Sequence, residues 1–134
     1  MNEPVSDIFV ALEGFFRADN NVVCASVFGS SQKGWVSPGS DLDIAVLFRN
    51  PPLPGAAYID YYLSLCSAVP TVEAVDFVNL NIAGTILAFE AVRGRWICKN
   101  DVERTADFVS LVCREYEDVM GNLEHQRWLR TQAA

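Results

Sequence analysis

The sequence lacks the residue patterns of several common kinds of functional site. Its only histidine is His125, and a Ser-His-Asp triad or a histidine-ligated zinc site would have to be built on that residue. Because His125 lies in a polar C-terminal segment, both kinds of site are disfavoured. Cys24, Cys66, Cys98 and Cys113 form no C-x-x-C pair of the type that binds zinc or serves redox chemistry. Each cysteine lies in an apolar segment, so we expect reduced, buried side chains.

Long apolar runs and an excess of positive charge are also missing. No run reaches the roughly 18 apolar residues that a membrane-spanning helix needs. The N-terminal MNEPVSDIFV has no basic region or cleavage site of a signal peptide, so we expect a cytoplasmic protein without membrane contact. The net charge of −7 disfavours direct binding of nucleic acid. An acidic surface suits a small substrate, a divalent metal or a basic protein partner, or it serves solubility alone.

Apolar periodicity predicts a single domain over residues 1–134, with about 120–134 as a C-terminal tail. The order αββαβαβα predicts an α/β or α+β fold in which helices flank a mostly buried sheet. The last helix begins at Asn100, since Asn100 and Glu103 have the spacing of a capping box. The predicted helices lie near residues 4–18, 56–68, 82–92 and from 100 onward, and the strands at residues 22–28, 42–48, 72–80 and 95–98. The second helix is predicted from an apolar stripe at helical spacing, formed by Tyr58, Ile59, Tyr62, Leu63 and Cys66.

Two carboxylates open the second predicted strand. Asp41 and Asp43 are two residues apart, so they share one face of the strand while Leu42 turns to the core. Two carboxylates this close repel each other unless water or a cation screens them. A hard divalent ion with oxygen ligands, ordinarily Mg²⁺, fits such a pair.

A phosphate-binding turn is predicted after the first strand. Gly29 allows a ligand to approach the backbone closely, and the Ser30 hydroxyl and nearby N–H groups are suited to phosphate oxygens. A Gly-Ser turn or a D-x-D pair alone is common. Their combination, Gly-Ser, ten residues and then Asp-Leu-Asp at the start of an apolar strand, indicates phosphoryl or nucleotidyl transfer.

This combined pattern resembles the signature of the nucleotidyltransferase superfamily, whose fold is similar to the DNA polymerase β palm. Lys33 and Gly34 match a basic residue and a glycine of that family, and VDFVNLN resembles its third-carboxylate strand, with Asp76 in the acidic position. The spacing and the short chain resemble the minimal nucleotidyltransferase branch. The segment from Ala91 to Val119 is similar to the C-terminal half of MntA-type antitoxins, which pair with HEPN ribonuclease toxins.

The resemblance implies a mechanism and a partner. Asp41, Asp43 and Asp76 would be catalytic and would bind two Mg²⁺ ions, with Mn²⁺ as a substitute. Gly29, Ser30 and Lys33 would hold the phosphates of ATP. The enzyme would transfer AMP, with release of pyrophosphate, to a tyrosine hydroxyl of a HEPN toxin with which it forms a hetero-oligomer, and so would neutralise the toxin.

Three alternatives stay open at the level of the sequence. Glu73 replaces Asp76 as the third carboxylate if the strand around it is bulged. In the second alternative, the chain is a nucleotidyltransferase that acts on a small molecule, although such enzymes usually have an additional helical domain. The third alternative is a non-catalytic antitoxin that neutralises its partner by contact alone.

Overall fold

The computed structural model describes residues 3–29, 35–36, 41–52 and 54–133. Among these residues, no helix combines the length and hydropathy that crossing a membrane requires. The helices are α1 (Val5–Arg17), α2 (Ala56–Ala68), α3 (Thr85–Val92) and α4 (Val102–Ala133), and the strands are β1 (Glu3–Pro4), β2 (Val22–Phe28), β3 (Trp35–Val36), β4 (Asp41–Phe48), β5 (Ala74–Asn79) and β6 (Arg95–Lys99).

Four strands form one mixed sheet in the order β5-β4-β2-β6. Strand β2 runs antiparallel to both β4 and β6, whereas β4 and β5 are parallel and are joined by the crossover helix α2. A separate short ribbon pairs β1 with β3. The predicted sheet with flanking helices is confirmed.

Each face of the sheet has its own hydrophobic cluster. The even-numbered residues of β4, from Leu42 to Phe48, pack with α1 and with Leu65 of α2. Ala45 and Leu47 point to the other face, where they pack with α3 and α4. By the same alternation, Asp41 and Asp43 lie on the α3/α4 face.

Helices α2 and α3 differ from the prediction in which side chains they bury. Leu65 is the buried apolar residue of α2, whereas Ile59 and Leu63 of the predicted stripe are 55% and 56% exposed. Helix α3 begins at Thr85, and Ile82 lies before it with 81% of its side chain exposed. The sequence periodicity predicted both helices correctly, but it does not show which side faces the sheet.

The start of α4 also differs from the prediction by one residue. The N–H of Arg104 donates to Asp101 Oδ1 at 3.0 Å, so Asp101 caps the helix instead of Asn100. The Asn100 side chain donates to the carbonyl oxygen of Phe16 at 2.9 Å and ties α4 to the end of α1. The helix continues through the segment 120–132 that the sequence analysis separated as a tail, and from residue 121 to 132 its side chains are exposed.

All four cysteines are free, as predicted. Cys24 and Cys98 are buried, whereas Cys66 and Cys113 are only partly buried, so the predicted burial holds for two of them. Burial raises the pKa of the Cys24 thiol to about 11, which keeps it protonated and unreactive at neutral pH.

Candidate active site

The pairing of two parallel strands brings the predicted carboxylates together. In the register between β4 and β5, Asp43 lies opposite Asp76 and Asp41 lies opposite Ala74. Paired residues of neighbouring strands share a face of the sheet, so all three carboxylates lie on the α3/α4 face. The sheet thereby places them at one end of β4 and β5.

The Asp43 carboxyl group is partly buried and lies near two other carboxylates. Its pKa is raised from 3.8 to about 6, first by burial, then by the charge of Asp76 and a hydrogen bond with it, and further by the charge of Asp41. A carboxylate in this situation gains strongly from a nearby cation.

Glu73 does not take part in this cluster through a bulge. The pairing of β4 with β5 runs without a register shift from Ala74 to Asn79. Glu73 precedes the strand and is an odd number of positions from Asp76, so in a regular continuation it faces the opposite side. Asp76 is therefore the carboxylate that the fold places beside Asp43.

Gly29 lies against the carboxylate cluster in a backbone conformation that favours glycine. Its φ angle is +72°, which costs other residues about 1–2 kcal/mol. A Cβ atom at this position would lie 2.5 Å from Asp43 Oδ2. Gly29 therefore leaves space for the Asp43 carboxylate. Ser30 and Lys33, the other predicted phosphate ligands, lie outside the described residues.

Two grooves adjoin the carboxylates at the edge strand β5. The larger has a volume of about 660 Å³ and runs from Pro52 and Pro54 across β5 to the start of α3. The smaller, of about 330 Å³, lies between α2 and β5. Both are lined by Tyr58, Asp76 and Phe77, so both adjoin Asp76 at the edge of the sheet.

A comparison with protein families identifies this arrangement. The family model described as polymerase beta, nucleotidyltransferase, matches residues 11–103, which include the whole carboxylate cluster. The chain belongs to this nucleotidyltransferase family. A comparison with curated protein sequences gave no match.

Solved structures of toxin–antitoxin complexes contain chains with the same fold. One is a toxin–antitoxin structure with AMP-PNP, matched with a TM-score of 0.70 and 23% identity over 94% of this chain and 98% of that chain. Another is a tri-AMPylated Shewanella oneidensis HEPN toxin with its MNT antitoxin, matched with a TM-score of 0.61 and 22% identity over 96% of this chain and 95% of that chain. The nucleotidyltransferase fold thus extends over nearly the whole chain.

The carboxylates of this nucleotidyltransferase suit a hard cation by their chemistry. Asp41, Asp43 and Asp76 supply only oxygen ligands, which Mg²⁺ and Mn²⁺ prefer, and among the described residues none of the three forms a salt bridge with a basic side chain. Within the described part of the chain, no three His, Cys, Asp or Glu side chains already stand in a metal-binding arrangement. The fit therefore rests on the donor set and its charge.

Several residues beside this nucleotidyltransferase site do not stand out in the sequence. Tyr58 and Phe77 line both grooves, and the Tyr62 hydroxyl donates to the carbonyl oxygen of Val75 at 2.9 Å, directly before Asp76. The spacing of Tyr58 and Tyr62 at i and i+4 was interpreted as a core stripe. The available signal was the residue type. An aliphatic residue would fill a core position equally well, so two tyrosines there indicate a role for their hydroxyl groups or rings outside the core.

Replacing Asp43 by Asn should stabilise the metal-free protein at neutral pH. Since the folded-state pKa of about 6 exceeds the ordinary value of 3.8, ionised Asp43 lowers stability at pH 7, and this cost disappears as the pH falls through 6 toward 4. After allowance for solvent screening of a largely exposed group, we expect Asp43→Asn to raise the free energy of unfolding by about 1 kcal/mol at pH 7. Urea unfolding in EDTA measures the gain.

The gain should vanish below about pH 4, where Asp43 is protonated in both states. Asp107→Asn is the matched control, because Asp107 is an exposed acid of α4 outside the cluster. An equal gain for both variants would show that net charge, and not the carboxylate cluster, causes the effect.

Proposed function

We propose that this nucleotidyltransferase is a cytoplasmic antitoxin that transfers AMP from ATP to a tyrosine hydroxyl of a cognate HEPN ribonuclease toxin and thereby neutralises it. The observation that carries the proposal is the register that places Asp43 opposite Asp76 on the face shared with Asp41. A carboxylate cluster beside a close-approach glycine is suited to phosphoryl chemistry. The AMP-PNP in one structural neighbour and the AMPylated toxin in another support this nucleotide and this acceptor.

The proposed reaction forms one bond and breaks one. The acceptor oxygen attacks the α-phosphorus of ATP, the bond from that phosphorus to the bridging oxygen breaks, and pyrophosphate leaves. Asp76 accepts the proton of the acceptor hydroxyl, and Gly29 lets the Asp43 carboxylate keep its position opposite Asp76. Asp41, Asp43 and Asp76 would hold Mg²⁺, which supplies positive charge to the phosphates and the acceptor oxygen.

Mass spectrometry of the partner tests this proposal. We expect a HEPN protein encoded in the adjacent reading frame to gain AMP on a tyrosine when it is incubated with this chain, ATP and Mg²⁺. The same mixture in excess EDTA should show no modification, because three clustered carboxylates repel a triphosphate. Tight association without any AMP on the partner would favour an antitoxin that acts by contact alone.

A further inference from the structure

Large apolar side chains are exposed around the two grooves beside Asp76. Ile82 is 81% exposed and Leu87 is 42% exposed, and both line the larger groove. Ile59 of α2, which is 55% exposed, lines the smaller one. Leu63 of α2 and Ile86 of α3 are also exposed. Exposed apolar side chains grouped around a groove are typical of an interaction site.

The two helices direct some of their largest apolar residues away from the core. Helix α3 buries Ala88 and Ala91 but leaves Ile86 and Leu87 exposed. A helix that served only its own core would bury its large side chains and expose its small or polar ones. The exposed side chains of α3 are therefore available for a contact outside the fold.

The lining of the larger groove does not suit a nucleic acid strand. Of the described residues that line it, Asp76 alone carries a charge, and that charge is negative. A nucleic acid strand would need cationic contacts along its backbone. Tyr58, Phe77, Ile82 and Leu87 instead offer the aromatic and aliphatic surface that is typical of the centre of protein–protein interfaces.

We propose that the two grooves form one acceptor surface, which binds a protein segment whose apolar side chains flank the acceptor hydroxyl. The acceptor surface consists of Tyr58, Ile59, Phe77, Ile82 and Leu87. The surface is continuous with the active site, because Asp76 lies in both grooves. Among the described residues β5 pairs with β4 alone, so the acceptor surface follows the open edge of the sheet. This inference rests on the proposed function, and it identifies the surface that binds the HEPN protein.

The two grooves together extend beyond a single small-molecule pocket. The larger groove by itself, at about 660 Å³, has the volume of a small-molecule site. The second groove, of about 330 Å³, adjoins the same three residues, Tyr58, Asp76 and Phe77. A protein segment can occupy both grooves, whereas a small molecule fills one and leaves the other in water.

The test replaces two residues of the acceptor surface by a neutral polar residue. The double variant Ile82→Gln with Leu87→Gln should raise KM for the HEPN protein at least tenfold, with kcat at saturation and the Kd of ATP within twofold of wild type. The matched control is Val10→Gln with Val102→Gln, since Val10 and Val102 are 72% and 66% exposed and line neither groove. The control should leave every constant unchanged.

Calorimetry without ATP separates failure of the acceptor surface from failure of the proposed chemistry. A tenfold weaker complex of the Gln variant with the HEPN protein supports the acceptor surface even if no AMP is transferred. Unchanged KM and unchanged Kd for the HEPN protein in the Gln variant would overturn the proposal, whether or not wild type transfers AMP. Wild-type transfer to a small hydroxyl compound without binding of the HEPN protein would also overturn it.

Discussion

The double change Asp41→Asn with Asp43→Asn should reduce AMP transfer by on the order of 1,000-fold or more. Asn preserves the shape of Asp but loses the charge and most of the affinity for a hard cation. The fold should survive, because like-charge repulsion at the start of β4 is relieved and not increased. Transfer is measured as pyrophosphate release in the presence of saturating HEPN protein, and folding by circular dichroism.

The matched control for this variant is Asp107→Asn with Asp118→Asn. It removes the same amount of charge from exposed positions on α4, so any effect of net charge on partner binding is equal in both proteins. Cells that carry the toxin should be rescued by wild type and by the control, but not by the variant of Asp41 and Asp43. Full rescue by that variant at matched expression would show that contact alone neutralises the toxin.

Gly29→Ala should reduce AMP transfer about 100-fold while it destabilises the fold by about 1–2 kcal/mol. The new methyl group would lie 2.5 Å from Asp43 Oδ2, so the carboxylate must move from its position opposite Asp76. The residue would also have to adopt a positive φ angle. Steady-state kinetics of the folded protein, together with urea unfolding, separates the loss of activity from the loss of stability.

Gly14→Ala provides the comparison for Gly29→Ala. Gly14 lies within α1, and a Cβ atom there would meet no atom within 4 Å. Alanine should therefore stabilise the helix by up to about 1 kcal/mol and leave transfer unchanged. If Gly29→Ala retained full activity and wild-type stability, the close approach of Gly29 to Asp43 would not be needed to position the Asp43 carboxylate.

Strand alternation alone predicted much of the carboxylate cluster. The shared face of Asp41 and Asp43 follows from their spacing, and the structure agrees. The place of Asp76 depends on the parallel register of β5 against β4, which spacing in one strand cannot specify. The choice between Glu73 and Asp76 therefore needed the structure, because one shifted residue would have exchanged their faces.

The tertiary contacts of polar side chains were less predictable than the shared face of the carboxylates. Asn81 accepts from the Phe48 N–H at 2.9 Å and donates to the Phe48 carbonyl at 2.8 Å, which ties the turn after β5 to the end of β4. Nothing in its sequence neighbourhood distinguishes it from an ordinary turn asparagine. The grooves were also invisible in the sequence, because Tyr58, Phe77 and Leu87 come from separate elements that only the tertiary fold brings together.

The parallel pairing of β4 with β5 also determines when the site forms during biosynthesis. Asp41 and Asp43 leave the ribosome well before Asp76, with all of α2 between them. Because the crossover must close before β5 aligns with β4, a chain released before Asp76 has two of the three carboxylates and no ordered cluster. Only a chain in which β5 has paired with β4 carries the site. Incomplete products of translation would therefore bind neither the nucleotide nor the acceptor protein.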